Sequence, residues 1–172
     1  MLQAGIEADA YCSNGIFGQS KSTFYSAWYE WYPAGSVRIS NVAVNPGDMM
    51  GVEVWYTTTA PNGHAYIINY DTQQSVSLAF NIPGGTVYAA NSVEWIVEAP
   101  SVSGSQATLS NYIATAANFN YAHSGGNYFY PGSGPAGTTS YNITMKPGTS
   151  PLSYCSLTGT YALWCQDEGT AY

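Results

Sequence analysis

The stretch Phe24-Tyr-Ser-Ala-Trp-Tyr-Glu-Trp-Tyr-Pro33 predicts a β-strand with aromatic rings on both faces. In an extended chain Trp28, Glu30 and Tyr32 point to one side, and the residues between them point to the other. Such a strand is either buried on both sides or lines a groove with one face. For any single ring the pattern favours the core, and it leaves the groove open as an alternative.

Further short β-rich runs follow along the chain, separated by Gly, Pro, Asn and Asp. They are residues 37–44, 49–58, 65–70, 75–80, 92–98, 108–119, 142–145 and 160–165. Many short strands at regular spacing, with no long helical pattern, predict one all-β domain over residues 1–172, an antiparallel β-sandwich or jelly roll. A glycine-rich stretch at 124–137 is predicted to be a long loop.

The chain carries very little charge. Only 8% of the 172 residues are charged, against about 25% in an average soluble domain. A net charge of -7 with three basic residues argues against nucleic acid and against an anionic membrane surface, so neither partner is expected. Few positive charges suit a protein that works in acid, although an ordinary secreted binding domain has a similar composition.

The three cysteines indicate an oxidising compartment, and a secreted protein is expected. Cys155 and Cys165 flank a predicted hairpin, and this arrangement allows a disulfide between them. Cys12 is then left without a partner in the chain. No cluster of Cys and His has the spacing of metal ligands, so no metal is expected.

The residues that can carry chemistry are carboxylates and amides. His64 and His123 are the only histidines, and neither lies in a recognisable Ser or Cys triad. In residues 91–100, NSVEWIVEAP, a strand period of two puts Glu94 and Glu98 on the same face. A solvent-exposed strand edge with two ordinary glutamates explains this pattern equally well.

Four motifs follow one another in residues 2–100. They are Leu2-Gln-Ala-Gly-Ile-Glu7, Ala27-Trp-Tyr-Glu-Trp-Tyr-Pro33, Val44-Asn-Pro-Gly-Asp48 and Glu94-Trp-Ile-Val-Glu-Ala-Pro100. In this order they resemble the glutamic peptidases, also called eqolisins. The resemblance implies a concanavalin-like sandwich of two antiparallel sheets.

The resemblance also implies a catalytic dyad, formed by Glu98 and Gln3. The substrate-binding positions that it implies are Trp28, Tyr32, Glu7 and Glu94. The chain departs from the family's pattern at Ser26, where the fungal members carry an aspartate. The hydrogen bond that this aspartate would supply is therefore in question.

In the implied reaction Glu98 takes a proton from a water that attacks the peptide carbonyl, and the Gln3 amide donates to the oxyanion. The protonated Glu98 then delivers its proton to the leaving nitrogen. A carboxylate base stays usable in acid, where a histidine would be protonated. The resemblance thus predicts an acid-acting, monomeric endopeptidase that cuts protein substrates and needs no metal or organic cofactor.

Members of the family have several strands before the catalytic glutamine, whereas here that residue is Gln3. The resemblance therefore predicts an N-terminally truncated member that lacks the first strands of the fold, the signal peptide and the propeptide, with Met1 an internal methionine. Terminal residues fray unless they are held, so Gln3 is expected to lack its neighbouring strands. Whether the 172 residues are active on their own is left open.

Two other functions remain open. Small Tyr- and Trp-rich jelly rolls include glycoside hydrolases of the xylanase type, which need a second carboxylate about 5 Å from the first. Glu168 is the residue that would supply it. A non-catalytic carbohydrate-binding sandwich would instead present Trp28 and Tyr32 on an open surface as stacking platforms.

Overall fold

The computed structural model describes residues 1–16, 18–99, 101–102, 105–107, 109, 112, 114–144 and 153–167. Within these ranges all regular secondary structure is β-strand, and no helix could cross a membrane. The chain forms two compact units, Met1–Ala89 and Ala90–Tyr172, and each is described by itself. The single domain over residues 1–172 stays a prediction.

The first unit contains two antiparallel sheets, with the strand orders β1-β2-β3 and β4-β5-β6 in its described residues. The strands are β1 (Leu2–Gly15), β2 (Gly18–Trp31), β3 (Val37–Ile39), β4 (Met50–Tyr56), β5 (Gly63–Asn69) and β6 (Gln74–Phe80). Each sheet is built from strands that are neighbours in sequence, as expected when short turns connect them.

The strands β1 and β2 form a long hairpin. Gln3 lies opposite Glu30, and the pairing continues to Gly15 opposite Gly18. Gly18 has a φ of 117°, which glycine adopts without the steric cost that a side chain brings. The hairpin register therefore places every residue of β1 against a known partner on β2.

The N-terminal residues are held by this pairing. The backbone N–H of Tyr32 donates to the carbonyl of Met1 over 2.9 Å, one step beyond the last ladder pair. The expectation that Gln3 lacks neighbouring strands is thus wrong on the side where β2 lies. On its other side, β1 is the edge strand of its sheet in the part of the chain that the structure describes.

The two sheets of the first unit pack face to face around a small apolar core. Its buried residues are Ala27, Ile39, Val42 and Ile67. Ala27 and Ile39 are direct cross-strand partners on β2 and β3. On β5 every second residue from Gly63 to Asn69 is buried, which is the alternation of a strand with one face on the core.

Trp31 is the largest ring on the core side of β2. It is 3% exposed, and it meets Tyr56, Phe80 and Tyr88 nearly edge to face, with ring centroids 6.0 to 6.1 Å apart. A Cβ atom added to Gly63 would lie 2.5 Å from the Trp31 ring, so only glycine fits at that position. Trp31 thus lies in the core and not in a groove, as the sequence pattern favoured for any single ring.

The turn before β4 is held by Asp48. Its Oδ2 atom accepts hydrogen bonds from the backbone N–H of Asn45 at 2.9 Å, from the Asn45 amide at 3.0 Å and from the Asn69 amide at 2.6 Å. Asn69 is fully buried and also donates to the carbonyl of Ala43 over 2.9 Å. Burial raises the pKa of Asp48, but the hydrogen bonds from Asn45 and Asn69 outweigh it, and the pKa lies below its ordinary value.

The second unit is built from short strands. They are β7 (Ser101–Val102), β8 (Ser105–Gln106), β9 (Ala114–Ala117), β10 (Ala122–Ser124), β11 (Asn127–Phe129), β12 (Ser153–Leu157) and β13 (Leu163–Asp167). A three-stranded sheet has the order β12-β13-β9, and the other four strands pair as two hairpins. Cys155 lies opposite Cys165 and forms the predicted disulfide, while Cys12 in the first unit is free and exposed.

The predicted strand at residues 92–98 is wrong, because the segment belongs to no strand. Its burial still alternates, with Trp95 and Val97 half-buried and Glu94 and Glu98 exposed. A strand needs a neighbour to take up its backbone N–H and C=O groups, and no strand among the described residues pairs with this segment. An alternating pattern of residues was therefore not sufficient for a strand to form here.

Two further predictions need correction. The predicted loop at 124–137 contains most of the hairpin of β10 and β11, turned by Gly125 and Gly126 with φ of 58° and 80°. The predicted strand at 142–145 is not formed over residues 142–144, and residue 145 lies outside the described residues. Glycine clusters can thus mark a tight turn between strands as well as a loop.

Replacing Asp48 tests the role of its carboxylate. A lowered folded pKa means that the stabilisation is complete above the unfolded aspartate pKa of about 3.9 and is lost as the pH falls through the folded pKa. Asp48→Asn should therefore lower the free energy of unfolding at neutral pH and flatten its decline in acid. Denaturant titrations followed by tryptophan fluorescence at a series of pH values measure this.

The matched control is Glu53→Gln, which removes an exposed carboxylate on β4. An Asp48→Asn protein with the same acid dependence as the parent would show that the hydrogen bonds to Asp48 do not stabilise the first unit.

Candidate active site

One face of the hairpin of β1 and β2 carries several of the residues that the sequence singled out. Because side chains alternate along a strand, this face is opposite to the one that packs on the core through Ala4, Ala27 and Tyr29. We call it the hairpin face; its residues are Gln3, Gly5, Glu7 and Asp9 on β1 and Phe24, Ser26, Trp28 and Glu30 on β2.

Gln3 is fixed by Glu30, its direct cross-strand partner. The Gln3 Nε2 atom donates a hydrogen bond to Oε2 of Glu30, and both residues are half-buried. A primary amide has two N–H donors and one carbonyl acceptor. One donor of Gln3 is therefore used to orient the side chain, and a second donor and the acceptor remain for another group.

Glu7 is held by Ser26 in the same way, four residues further along the ladder. The Ser26 hydroxyl donates to Oε2 of Glu7 over 3.2 Å, and Ser26 is 3% exposed. An ionised aspartate at position 26 could only accept hydrogen bonds and would repel Glu7. The departure from the family's pattern thus replaces a second carboxylate by a hydroxyl donor.

Between these two pairs, the Trp28 indole lies across Gly5. A Cβ atom added to Gly5 would lie 3.3 Å from Cζ2 of Trp28, closer than an ordinary contact. Gly5 is opposite Trp28 in the ladder. The absence of a side chain at residue 5 therefore lets the ring lie close against β1, which leaves Trp28 half-buried.

The remaining predicted residues occupy different surroundings. Tyr32 follows the end of β2 and is 60% exposed. Glu94 and Glu98 belong to the second unit and are exposed, and among the described residues neither has a hydrogen bond or an ion pair. The pairing of Gln3 with Glu98 therefore stays a prediction, whereas Gln3, Glu7 and Trp28 do share the hairpin face.

Glu30 takes part in the hairpin face through its bond to Gln3, although sequence reasoning gave it no role. The alternation already placed it on the same side as Trp28, and the cross-strand register identifies it as the partner of Gln3. Arg38 lies beside the face on β3, with its guanidinium carbon 3.9 Å from the centre of the Phe24 ring. No group of metal-ligating side chains occurs among the described residues.

Ser26→Asp tests how the hairpin face tolerates a second carboxylate. At about pH 7 both acids would be ionised in a partly buried place, whereas at about pH 3 one of them would be protonated. The mutual repulsion raises the folded pKa of one acid, so the relative stability is greatest in acid and is lost as the pH rises. The free energy of unfolding should fall by on the order of 1 to 3 kcal/mol more at about pH 7 than at about pH 3.

Ser26→Ala is the matched control, because it removes the donor without adding charge. Its loss of stability should differ little between the two pH values. A Ser26→Asp protein whose loss is independent of pH would mean that residues 7 and 26 do not interact electrostatically.

Comparisons with known proteins extend these observations to the whole chain. Aspergillopepsin-2 of Aspergillus niger is 34% identical over 100 residues, which cover 57% of this chain and 32% of that protein. Scytalidopepsin B of Scytalidium lignicola is 34% identical over 98 residues, which cover 55% and 37%. The chain thus spans about a third of the length of these curated relatives.

The fold is similar to that of aspergilloglutamic peptidase from Aspergillus niger, with a TM-score of 0.71, 24% identity and coverage of 95% of this chain and 89% of that one. This similarity confirms the predicted all-β fold. The model of the Peptidase A4 family matches residues 1–166. The chain therefore belongs to the Peptidase A4 family, the glutamic peptidases that its four motifs resemble.

Proposed function

We propose that the protein is an endopeptidase of the glutamic type that hydrolyses protein substrates in acid. The observation that carries the proposal is the hairpin face. On this face Glu30 orients the Gln3 amide, and Trp28 and Glu7 lie beside it. Family membership over residues 1–166 supports a peptidase rather than a glycoside hydrolase. Glu168, which the glycoside hydrolase would need, lies outside the described residues.

Glu98 acts as the general base in this proposal. It takes a proton from a water, the water oxygen attacks the carbonyl carbon of the peptide bond, and the Gln3 amide donates to the oxygen that becomes negative. Protonated Glu98 then gives its proton to the leaving nitrogen, so one side chain serves as base and as acid. Neither step uses a metal or an organic cofactor.

Glu30 is a positioning residue in this scheme. By accepting one N–H of Gln3 it fixes the amide plane, which leaves the second N–H aimed in a defined direction. Preorganised donors stabilise a developing oxyanion because they need not rotate during the reaction. Trp28, Tyr32, Glu7 and Glu94 contact the substrate in the proposal, and they supply aromatic and acidic surface.

The proposed setting is extracellular, and we propose a monomer in which residues 1–172 belong to one domain. The disulfide between Cys155 and Cys165 supports an oxidising compartment. The hairpin face supports work in acid, because its amide and hydroxyl donors keep their charge state there, whereas a histidine would become charged.

Two substitutions test the dyad. Glu98→Gln and Gln3→Ala should each reduce cleavage of an acid-unfolded protein substrate between about pH 2 and 5, by roughly a hundredfold or more. Initial rates measured by the release of new amino termini give the effect. Far-UV circular dichroism establishes that the variants keep the β-fold.

Glu53→Gln is the matched control, because Glu53 is exposed on β4 and lies outside the hairpin face. It should cleave at the rate of the parent protein. Undiminished cleavage by either dyad variant would refute the assignment of that residue, and a parent protein without any cleavage in acid would refute the activity of these 172 residues.

A further inference from the structure

A cluster of aromatic side chains in the second unit forms an open cleft that the proposed reaction does not use. Its volume is about 240 Å³. We call it the tyrosine cleft; its lining residues are Phe119, Tyr121, Tyr128, Tyr130 and Tyr161. Three segments contribute them: the connection between β9 and β10, the strand β11 with the residue that follows Phe129, and the turn between β12 and β13.

The walls of the tyrosine cleft are held in place. The backbone N–H of Asn120 donates to the carbonyl of Tyr161 over 2.9 Å, and the Asn120 side chain donates to the same carbonyl over 3.0 Å and to the carbonyl of Ala117 over 2.7 Å. Asn120 therefore ties the turn that carries Tyr161 to the segment that carries Phe119 and Tyr121.

The rings also contact one another in a fixed order. The centroids of Tyr121 and Tyr128 are 5.9 Å apart, those of Tyr128 and Tyr130 are 6.4 Å apart, and those of Tyr130 and Tyr161 are 4.8 Å apart. The Tyr128 and Tyr130 rings are nearly parallel, at 7°, and Tyr161 stands at 83° to Tyr130. The rings of Tyr121, Tyr128 and Tyr130 thus follow one another in a row, and the Tyr161 ring stands across one end of it.

Packing within the unit does not account for this arrangement. Phe119 is 84% exposed and has a φ of 57°, a conformation that is costly for a bulky side chain. Tyr128 is 52% exposed, although its ring belongs to the cluster. Exposed apolar surface that is contiguous and partly strained is typical of a binding site.

The chemistry of the lining selects a ligand without charge. None of the five residues carries a charge in acid or at neutral pH. His123 lies beside Tyr128, with ring centroids 4.7 Å apart. The surface of the cleft is almost entirely apolar ring face, so the phenol hydroxyls contribute little to it.

A proline-rich peptide has the complementary chemistry. In the polyproline II conformation it has three residues per turn and no internal hydrogen bonds, so its carbonyls stay hydrated while its apolar proline rings can meet the apolar cleft. Proline rings pack between aromatic ridges, and aromatic-lined grooves are the usual receptors for such segments. The conformation is also already formed in the free peptide, which lowers the entropy lost on binding.

We propose that the tyrosine cleft binds a proline-rich segment of the polypeptide substrate. This inference rests on the proposed peptidase function, because a peptidase binds a polypeptide. Without that function, a neutral glycan would be an equally suitable ligand for an uncharged aromatic cleft. The cleft contains neither Gln3 nor Glu98, so binding and bond cleavage can be removed independently of each other.

The test measures binding in the Glu98→Gln protein, which should not cut the probe. The probe is a fluorescently labelled peptide of about nine residues with proline at every third position, and the reference is the same peptide with alanine in place of proline. Fluorescence anisotropy should show binding of the proline peptide and at least about tenfold weaker binding of the alanine peptide. Equal affinities would overturn the proposal.

Variants locate the binding. Tyr128→Ala and Tyr161→Ala should each raise the Kd of the proline peptide by about tenfold, whereas Tyr128→Phe, which keeps the ring, should retain most of the affinity. Tyr141→Ala is the control, because Tyr141 is 82% exposed and lies outside the cleft. Unchanged binding in Tyr128→Ala and Tyr161→Ala, with far-UV circular dichroism like that of the parent, would refute the site.

Two further measurements separate this proposal from its alternatives. A β-1,4-linked glucose oligosaccharide that binds the cleft in place of the peptide would show that the ligand is a neutral glycan. Cleavage of a proline-free peptide by the parent protein reports the peptidase function alone and should be unaffected by Tyr128→Ala. Loss of this cleavage in Tyr128→Ala would assign Tyr128 to catalysis and overturn the proposal of a separate binding cleft.

Discussion

The structure of the first unit depends on the antiparallel ladder between β1 and β2. This ladder fixes which side chains of β2 point inward, so that Ala27 and Trp31 reach the core while Trp28 and Glu30 occupy the opposite face. A shift of one residue in the register would exchange the two faces completely. The same backbone hydrogen bonds therefore determine the packing of the core and the composition of the candidate site.

Hydrogen bonds from neutral groups hold three carboxylates of the first unit. Asp48 accepts from the amides of Asn45 and Asn69, Glu30 accepts from Gln3, and Glu7 accepts from Ser26. A neutral donor keeps its proton at every pH at which proteins fold. When such a carboxylate is protonated, no cation is left buried without a counter-ion. The loss of stability is therefore smaller than the loss that follows when a buried ion pair is broken.

Local patterning predicted the faces of β2 and the disulfide, because both depend on spacing along one strand or one hairpin. It did not predict the role of Glu30, since that role follows from the partner Gln3 far away in sequence. It was wrong for residues 92–98, where the alternating pattern is present without a neighbouring strand. β-structure is completed by pairing between distant segments, and a single sequence holds little information about that pairing.

The many tyrosines and the scarcity of charge have one physical explanation. A surface that must stay hydrated needs polar groups, and charged groups change their state when the pH falls. Phenol, hydroxyl and amide groups keep their charge state throughout the acid range, so as donors they do not change with pH. The hairpin face uses Gln3 and Ser26 as such donors, to the carboxylates of Glu30 and Glu7, and the tyrosine cleft is lined by aromatic rings. The few carboxylates, which accept these hydrogen bonds, therefore set the response of the protein to pH.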